Sequence, residues 1–368
     1  AAEDLREMVR RLEQALEEGG WGLSTGLLYP PGKYAEGEEV AALARAAAAR
    51  GGMYATHMRS EGDGLPESVG EVLRLARDTG IRVQLSHLKT SGRDNWPKLD
   101  ALLETLNRAR DEGLPLHSDR YPYTASGTDL DVVLPDWASA GGRDAILATL
   151  RSPAARRRVE DELDADPRDW SAVMIGGGWS EEVRRFSGRT VADAAAELGL
   201  SPGGAVCRFI ERDETRTSAF FFVMCEANLW RLYREPWIMP GSDASLRAPW
   251  GPLGRDHPHP RAYGTMPRFV RIVTGREEGF QAVCGIEEAV RRMTALPARA
   301  FGIRDRGALI PGAFADVTVF DPEAFRDTAT FAAPHRFAEG VHQVLVNGTV
   351  AFDAGRFTGE RRGRFLTR

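Results

Sequence analysis

Evenly spaced apolar segments constrain this chain more than any other feature of its sequence. They run Met53–His57, Ile81–His87 and Leu114–Tyr121, about 30 residues apart, and an earlier segment covers Trp21–Leu28. That interval suits a strand, a return helix and the next parallel strand. Amphipathic helices are predicted in the gaps, over about Glu38–Arg50, Pro66–Thr79 and Lys98–Glu112. Gly51-Gly52, Gly80 and Gly113 punctuate their ends. A further helix opens the chain, with Leu5, Met8, Val9, Leu12 and Leu16 on one face and Gly19-Gly20 as its stop. Strand-helix alternation of this kind makes a parallel α/β fold.

An open doubly wound sheet and a closed barrel share this alternation. The ends of the segments favour the barrel. They finish in Thr56-His57, in Ser86-His87-Leu88-Lys89 and in His117-Ser118-Asp119. In a (β/α)₈ barrel the C-terminal strand ends build the active-site face. No glycine-rich GxGxxG loop follows any strand, which weighs against a dinucleotide fold.

After Tyr123 the period stops. Residues of about 130–235 read as an insertion, with helices near Pro153–Leu163 and Val191–Leu198 and strands at Ala172–Ile175 and Ala219–Met224. Thr190 is not expected to cap either end of a helix. The period returns at Trp237–Asp243, and the last 70 or so residues are β-rich around Asp316–Phe320, Val344–Val346 and Thr349–Phe352. Asn347-Gly348 between the last two is a strong hairpin signal. The expected architecture is therefore a partial (β/α)₈ TIM-type barrel, holding about strands four to eight. Residues 1–300 form that barrel with the insertion at about 130–235, and residues 301–368 form a small β-domain. The five strands counted fall short of the eight that close a barrel. We expect the others N-terminal to this chain.

Composition removes several classes of partner. A net charge of -5 gives no reason to expect nucleic acid or an anionic membrane surface. No apolar run reaches the roughly 18 residues of a membrane span, and a cytoplasmic location is the default expectation. Cys207, Cys225 and Cys284 form no CxxC pair, so each is read as a buried structural thiol rather than part of a zinc ribbon or a disulfide framework. Only Lys33, Lys89 and Lys98 are lysines among 48 basic residues, so a lysine beside a candidate site stands out.

His57 and His87 end consecutive strands. Neighbouring parallel strands lie about 4.8 Å apart, so imidazoles rising from their ends can share one metal ion with bonds of about 2.0–2.1 Å. Taken singly, each is more often a satisfied loop or core histidine. Asp243, on the turn Gly241-Ser242-Asp243, is placed to bind a metal and to move a proton; taken alone it is equally a turn aspartate. Lys89, two residues beyond His87, points the same way if the strand continues and suits a substrate carboxylate. His257 and His259, alternating with proline before Arg261, are a rival pair more in keeping with a rigid surface loop. Arg261 suits bidentate binding of a carboxylate. His117 is a further candidate, and His335 and His342 are given no role.

These residues carry a family resemblance. Gly22-Leu23-Ser24-Thr25-Gly26-Leu27 with Tyr29, Thr56-His57-Met58-Arg59-Ser60-Glu61, Ser86-His87-Leu88-Lys89, and Asp119 with Tyr121-Pro122-Tyr123 resemble segments of the N-acyl-D-amino-acid deacylases (D-aminoacylases). So do Gly241-Ser242-Asp243 and His257-Pro258-His259-Pro260-Arg261 with Gly264-Thr265, and the order is kept along nearly the whole chain. The tail, with Pro311-Gly312 and Ala315-Asp316-Val317, is similar to the C-terminal β-domain of the wider amidohydrolase superfamily. The resemblance implies a (β/α)₈ barrel, one or two zinc ions, and hydrolysis of an N-acyl-D-amino acid to a carboxylate and a D-amino acid. It implies that His57 and His87 ligate zinc, and that Asp243 ligates it and acts as general base and acid. Lys89, Tyr121, Tyr29 and Arg261 match positions at or around the substrate's carboxylate. The family's His-x-His strand and the cysteine ligand that follows it do not occur in this sequence. They are expected N-terminal to it. A cyclic-amide hydrolase of the hydantoinase or dihydroorotase kind is the alternative enzyme, and a catalytically incomplete fragment is the alternative of another class.

Overall fold

The structure, a computed structural model, describes residues 2–368. Its strands, in chain order, are β1 (Gly22–Gly26), β2 (Met53–His57), β3 (Arg82–Leu85), β4 (Leu116–Arg120), β5 (Ser126–Asp129), β6 (Val173–Ile175), β7 (Ser218–Phe221), β8 (Ile238–Pro240), β9 (Val317–Phe320), β10 (Val341–Val346), β11 (Thr349–Asp353) and β12 (Arg356–Phe357). Five of them form one sheet in the order β1-β2-β3-β4-β8, and every pairing in it is parallel. Sequence neighbours lie side by side, as in successive units of a barrel, and only the β4–β8 step skips the intervening chain.

One face of this sheet is covered by helices. Tyr54, Val83, Leu85, Leu116 and Ile238 lie in the same apolar cluster as Val40, Val69, Leu73, Leu103, Leu106 and Phe269 from the flanking helices. Side chains alternate along a strand, so His57, Gln84, His117 and Asp119 occupy the other face. The helices between the strands are Gly37–Ala49, Leu65–Thr79 and Leu99–Asp111, within a residue or two of the prediction. Gly80, at φ 66°, closes the second in the left-handed conformation that glycine adopts without strain.

The region between β4 and β8 has a core of its own. β5, β7 and β6 make an antiparallel sheet. Leu130, Val159, Phe186, Val206, Phe209 and Ile210 pack with it in a cluster separate from that of the parallel sheet. Sequence reading found two helices here. The structure adds Asp136–Ser139, Gly142–Arg151, Glu181–Arg184, Pro202–Arg212 and Glu226–Tyr233. The clearest loss was Pro202–Arg212: Gly203-Gly204 masked a helix that Ser201 caps and Pro202 starts. Thr190 also departs from expectation. Its hydroxyl accepts from Asp193 N at 3.0 Å and caps Val191–Leu198. β7 ends at Phe221, short of Met224, and β8 ends at Pro240, where Gly241-Ser242-Asp243 turns away.

The last sheet is antiparallel, in the order β12-β11-β10-β9. Asn347 at φ 49° and Gly348 at φ 80° supply the paired positive angles of a tight hairpin between β10 and β11. Among the described residues no helix is long and apolar enough to cross a membrane. Cys207 is wholly buried and its thiol is pushed up to about 12 by burial, in line with a structural role. Cys225 and Cys284 are only half-buried, contrary to expectation, because both sit at the margins of short helices.

Candidate active site

His57 and His87 meet at the C-terminal edge of the parallel sheet. The register pairs Gly26 with His57 and Thr56 with Leu85, and Ser86 N then donates to Thr56 O at 3.0 Å, so the chain leaves β3 beside the end of β2. The next residue along each chain, Met58 and Leu88, is buried in the core and pins the loop that follows. His57 Nδ1 lies 2.5 Å from His87 Nε2. Burial, with His87 adding to it, holds the His57 imidazole below its ordinary pKa, so the neutral ring is favoured.

The turn that delivers His87 is strained and braced. Its φ is 39°, a left-handed value uncommon for any residue but glycine. Asp119 Oδ1 accepts its backbone N–H at 2.9 Å, and Gln84 Nε2 donates to the other carboxylate oxygen at 2.5 Å. Burial raises the Asp119 carboxyl above the usual range. Sequence reading saw Asp119 only as a residue at a strand end and a matching motif position.

Glu61 is the residue that sequence reasoning missed. It lies in the loop after β2, and its Oε1 is 2.8 Å from His87 Nδ1 and 2.5 Å from Lys89 Nζ. Burial opposes its charge, but Lys89 and His87 together outweigh burial and hold the carboxyl below the usual range. His87 Nδ1 is also 2.7 Å from Lys89 Nζ, which can only donate, so Glu61 and Lys89 together hold the ring with Nε2 toward His57. Its sequence signals were an acid four residues beyond the first histidine and its place at the end of the segment Thr56–Glu61, to which no role was given.

Asp243 approaches from β8, also in a left-handed conformation at φ 47°. Its Oδ2 is 4.0 Å from His87 Nε2 and 2.9 Å from Arg261 Nη2. Arg261 is buried at the start of the helix Arg261–Val273, with its guanidinium carbon 4.5 Å from the centre of the Tyr121 ring. Arg120 lies 4.1 Å from the same ring, which is itself buried and 6.3 Å from His87. Tyr29 stands with its ring 6.4 Å from that of His57. Burial raises its hydroxyl pKa against a hydrogen bond with Thr128.

The remaining candidates separate from this cluster. Lys89 is on the site as expected, but its ammonium is buried and committed to Glu61. His259 is buried rather than on a surface loop: its Nε2–H donates to Ala125 O at 3.0 Å and its Nδ1 accepts from Arg261 N. His257 Nε2–H donates to Phe331 O at 2.6 Å. The rival pair is thus consumed by backbone contacts, and that of His259 Nδ1 seats Arg261. His117 faces Arg110 and Arg82 instead of His57, and burial with those charges pushes its pKa down to about 4. His335 bonds Asp256 O from the segment between β9 and β10.

The residues present can be tested for a metal. Two imidazole nitrogens 2.5 Å apart need a proton or a cation between them. Both donors are imidazoles, one of them oriented by a carboxylate, and a third oxygen donor stands 4.0 Å away. That chemistry fits zinc. Among the described residues no group of three or more His, Cys, Asp or Glu comes together as a complete metal site. The fit is therefore to part of a donor set.

Comparison with known proteins gives four consistent matches. The profile described as "Amidohydrolase family" matches residues 229–352. An N-acyl-D-glutamate deacylase of Alcaligenes xylosoxydans xylosoxydans is 37% identical over the whole chain, which spans 65% of that relative's length. The solved structure of an N-acyl-D-glutamate deacylase from Bordetella bronchiseptica, complexed with zinc and a phosphonate that mimics the tetrahedral intermediate, is 34% identical. It aligns with a TM-score of 0.77 over 97% of this chain and 65% of its own. A D-aminoacylase crystal structure is 31% identical, with a TM-score of 0.79 over all of this chain and 67% of its own.

Proposed function

Because the chain belongs to the D-aminoacylase family of amidohydrolases, we propose that it carries the catalytic half of a zinc-dependent hydrolase of N-acyl-D-amino acids. The observation that supports this is the 2.5 Å approach of His57 and His87 where the chain leaves β2 and β3, with the Asp243 carboxylate beyond β8 lying 4.0 Å from His87. The relatives' printed names and the phosphonate complex support it. The chain spans 65% of the length of the N-acyl-D-glutamate deacylase it matches.

His57 and His87 would hold the ion, with Asp243 beside them. Zinc, when bound, supplies Lewis acidity toward an amide carbonyl and makes water more acidic. The chain's own residues supply orientation and proton movement. Glu61, with Lys89, fixes the direction of the His87 ring. Asp243 accepts the proton that water gives up as its oxygen bonds to the carbonyl carbon. It returns that proton to nitrogen as the C–N bond breaks, so a carboxylic acid and an amine leave with all atoms accounted for. Arg261, bonded to Asp243 through Nη2, steadies that carboxylate and offers its other N–H groups to the α-carboxylate of the substrate. Tyr121 supports Arg261 from beneath, and Tyr29 closes the His57 side. Lys89 acts through Glu61 and fixes the His87 orientation, which narrows the anchoring role expected of it.

We also infer a barrel portion over 1–300, interrupted at about 130–235 by a part with its own apolar cluster, and a β-domain over 301–368 with its own antiparallel sheet. The functional test is release of free amine from N-acetyl-D-amino acids and their L-enantiomers by zinc-loaded protein. D-selective release supports the reading. Cleavage of a hydantoin with no release from the linear amides would overturn it.

A further inference from the structure

His259 sits where three parts of the chain meet. Its ring is enclosed by Tyr121 and Tyr123 from the loop after β4, by Phe220 of β7 and by Phe331 from the segment between β9 and β10. The Phe331 ring is the nearest of the four, with its centre 4.8 Å from that of His259. Both His259 nitrogens are spent on the backbone, Nε2–H on Ala125 O and Nδ1 on the Arg261 N–H, each at 3.0 Å. Burial, with Arg261 adding to it, holds the imidazole well below its ordinary pKa, so the ring stays neutral and keeps one donor and one acceptor. Pro260 brings no side chain that caps the helix Arg261–Val273, and His259 Nδ1 takes the first free N–H of that helix instead. Such bonds are stronger where water is excluded, and the four rings exclude it. The segment that brings Phe331 also grips the chain on both sides of His259. Phe331 O accepts from His257 Nε2–H at 2.6 Å, and His335 Nε2–H donates to Asp256 O at 2.6 Å. Asp327 Oδ2 accepts from the Tyr123 hydroxyl at 3.2 Å and lies 3.6 Å from Arg268 Nη1.

We propose that Phe331 is a positioning residue for the hydrolysis: through His259 it fixes the start of the helix Arg261–Val273, and with it the Arg261 guanidinium, whose Nη2 holds Asp243 Oδ2 at 2.9 Å. The proposal rests on the deacylase reading above for the reaction, and on the contacts alone for the geometry. Removing the Phe331 ring opens one side of the enclosure and lets water compete for the His259 nitrogens. The first turn of the helix is then free to shift, and Arg261 moves with it. A displacement of about 1 Å that originates far from the reacting atoms can cost about 10²-fold in rate. The C-terminal part of the chain thereby takes part in the reaction without supplying a group that touches the substrate.

The test is a double-mutant cycle on amine release from an N-acetyl-D-amino acid by the zinc-loaded protein. Phe331→Ala and His259→Gln are each expected to lower kcat/KM by about 10–100-fold, and the two together by no more than the larger single effect. Phe331→Tyr keeps the ring and is expected to match the parent. Effects that multiply in the double variant, as two separate losses of stability would, overturn the proposal, and so does full activity in Phe331→Ala. Should Phe331→Ala not fold, Phe331→Leu takes its place in the cycle. A second readout needs no turnover. With isotopically labelled histidine followed by NMR, the His259 Nε2–H is expected to resist exchange with water in the parent and in Phe331→Tyr, and to lose that protection in Phe331→Ala. Protection retained in Phe331→Ala overturns the proposal whatever the kinetics. Protection lost in a protein whose parent releases no amine from any N-acyl-D-amino acid removes the deacylase reading and leaves the positioning contact standing.

Discussion

Glu61 Oε1 lies 2.8 Å from His87 Nδ1, and through that contact a buried carboxylate sets which nitrogen of His87 faces His57. The same oxygen takes the Lys89 ammonium, so one acid neutralises a buried cation and orients an imidazole. Glu61→Gln keeps the shape and loses the charge. Zinc affinity is expected to fall by about 10–100-fold, as for other partners that orient a ligand. Competition with a chromophoric chelator measures it. An unchanged zinc affinity would separate Glu61 from the site.

Asp243 is assigned the proton transfers. Asp243→Asn retains an acceptor for Arg261 but no basic carboxylate. We expect kcat to fall by about 10²–10⁴-fold, the usual span for a positioned acid or base, with a smaller change in KM. Steady-state rates on an N-acetyl-D-amino acid decide it, and a variant within tenfold of the parent would assign the protons elsewhere.

Gly241 touches the brace beneath His87. A Cβ there would stand 2.8 Å from Asp119 Oδ1 and 3.0 Å from its Cγ. Since Asp119 holds the His87 backbone, Gly241→Ala is expected to cost about 1–3 kcal/mol of stability through overpacking and to weaken zinc binding together with it. Denaturant unfolding and the chelator assay should move together. A stable variant with full zinc affinity would show that Asp119 yields freely.

His117 makes the fold acid-sensitive. Its pKa in the folded state is depressed to about 4 by burial, aided by Arg110 and Arg82, against about 6.5 for an unperturbed histidine. A group depressed on folding contributes stability that is present above the unfolded pKa and is lost as pH falls through the folded one. The loss should therefore run from about pH 6.5 down to about 4. His117→Gln is expected to show a smaller drop in Tm between pH 7 and pH 4 than the parent. Equal drops would assign the acid lability to other groups.

Much of the parallel sheet was legible because its signal is local and repeated. The segments ending in His57 and His87 combine a period of about 30 residues with glycine stops, and neither depends on distant contacts. The insertion was less legible. Helices such as Pro202–Arg212 are short, and burial against a second core, not their own periodicity, stabilises them. The His-Pro-His-Pro segment misled because prolines signal an extended loop, while the fate of each imidazole was decided by carbonyls of Ala125 and Phe331, far away in sequence.

The sequence by itself determined the strand order, the helix-covered sheet and the pairing of His57 with His87, since equivalent positions in consecutive parallel units must fall side by side. Only the tertiary structure decided what those histidines face. Glu61 reached His87 because the loop after β2 folds over the end of β3. Lys89 lost its freedom to the same carboxylate, and Arg261 was turned onto Asp243 by a buried His259. Hydrogen bonds and ion pairs of this kind form between groups remote along the chain. Their partners are chosen by which side chains share a low-dielectric space after folding, and no local pattern encodes that choice.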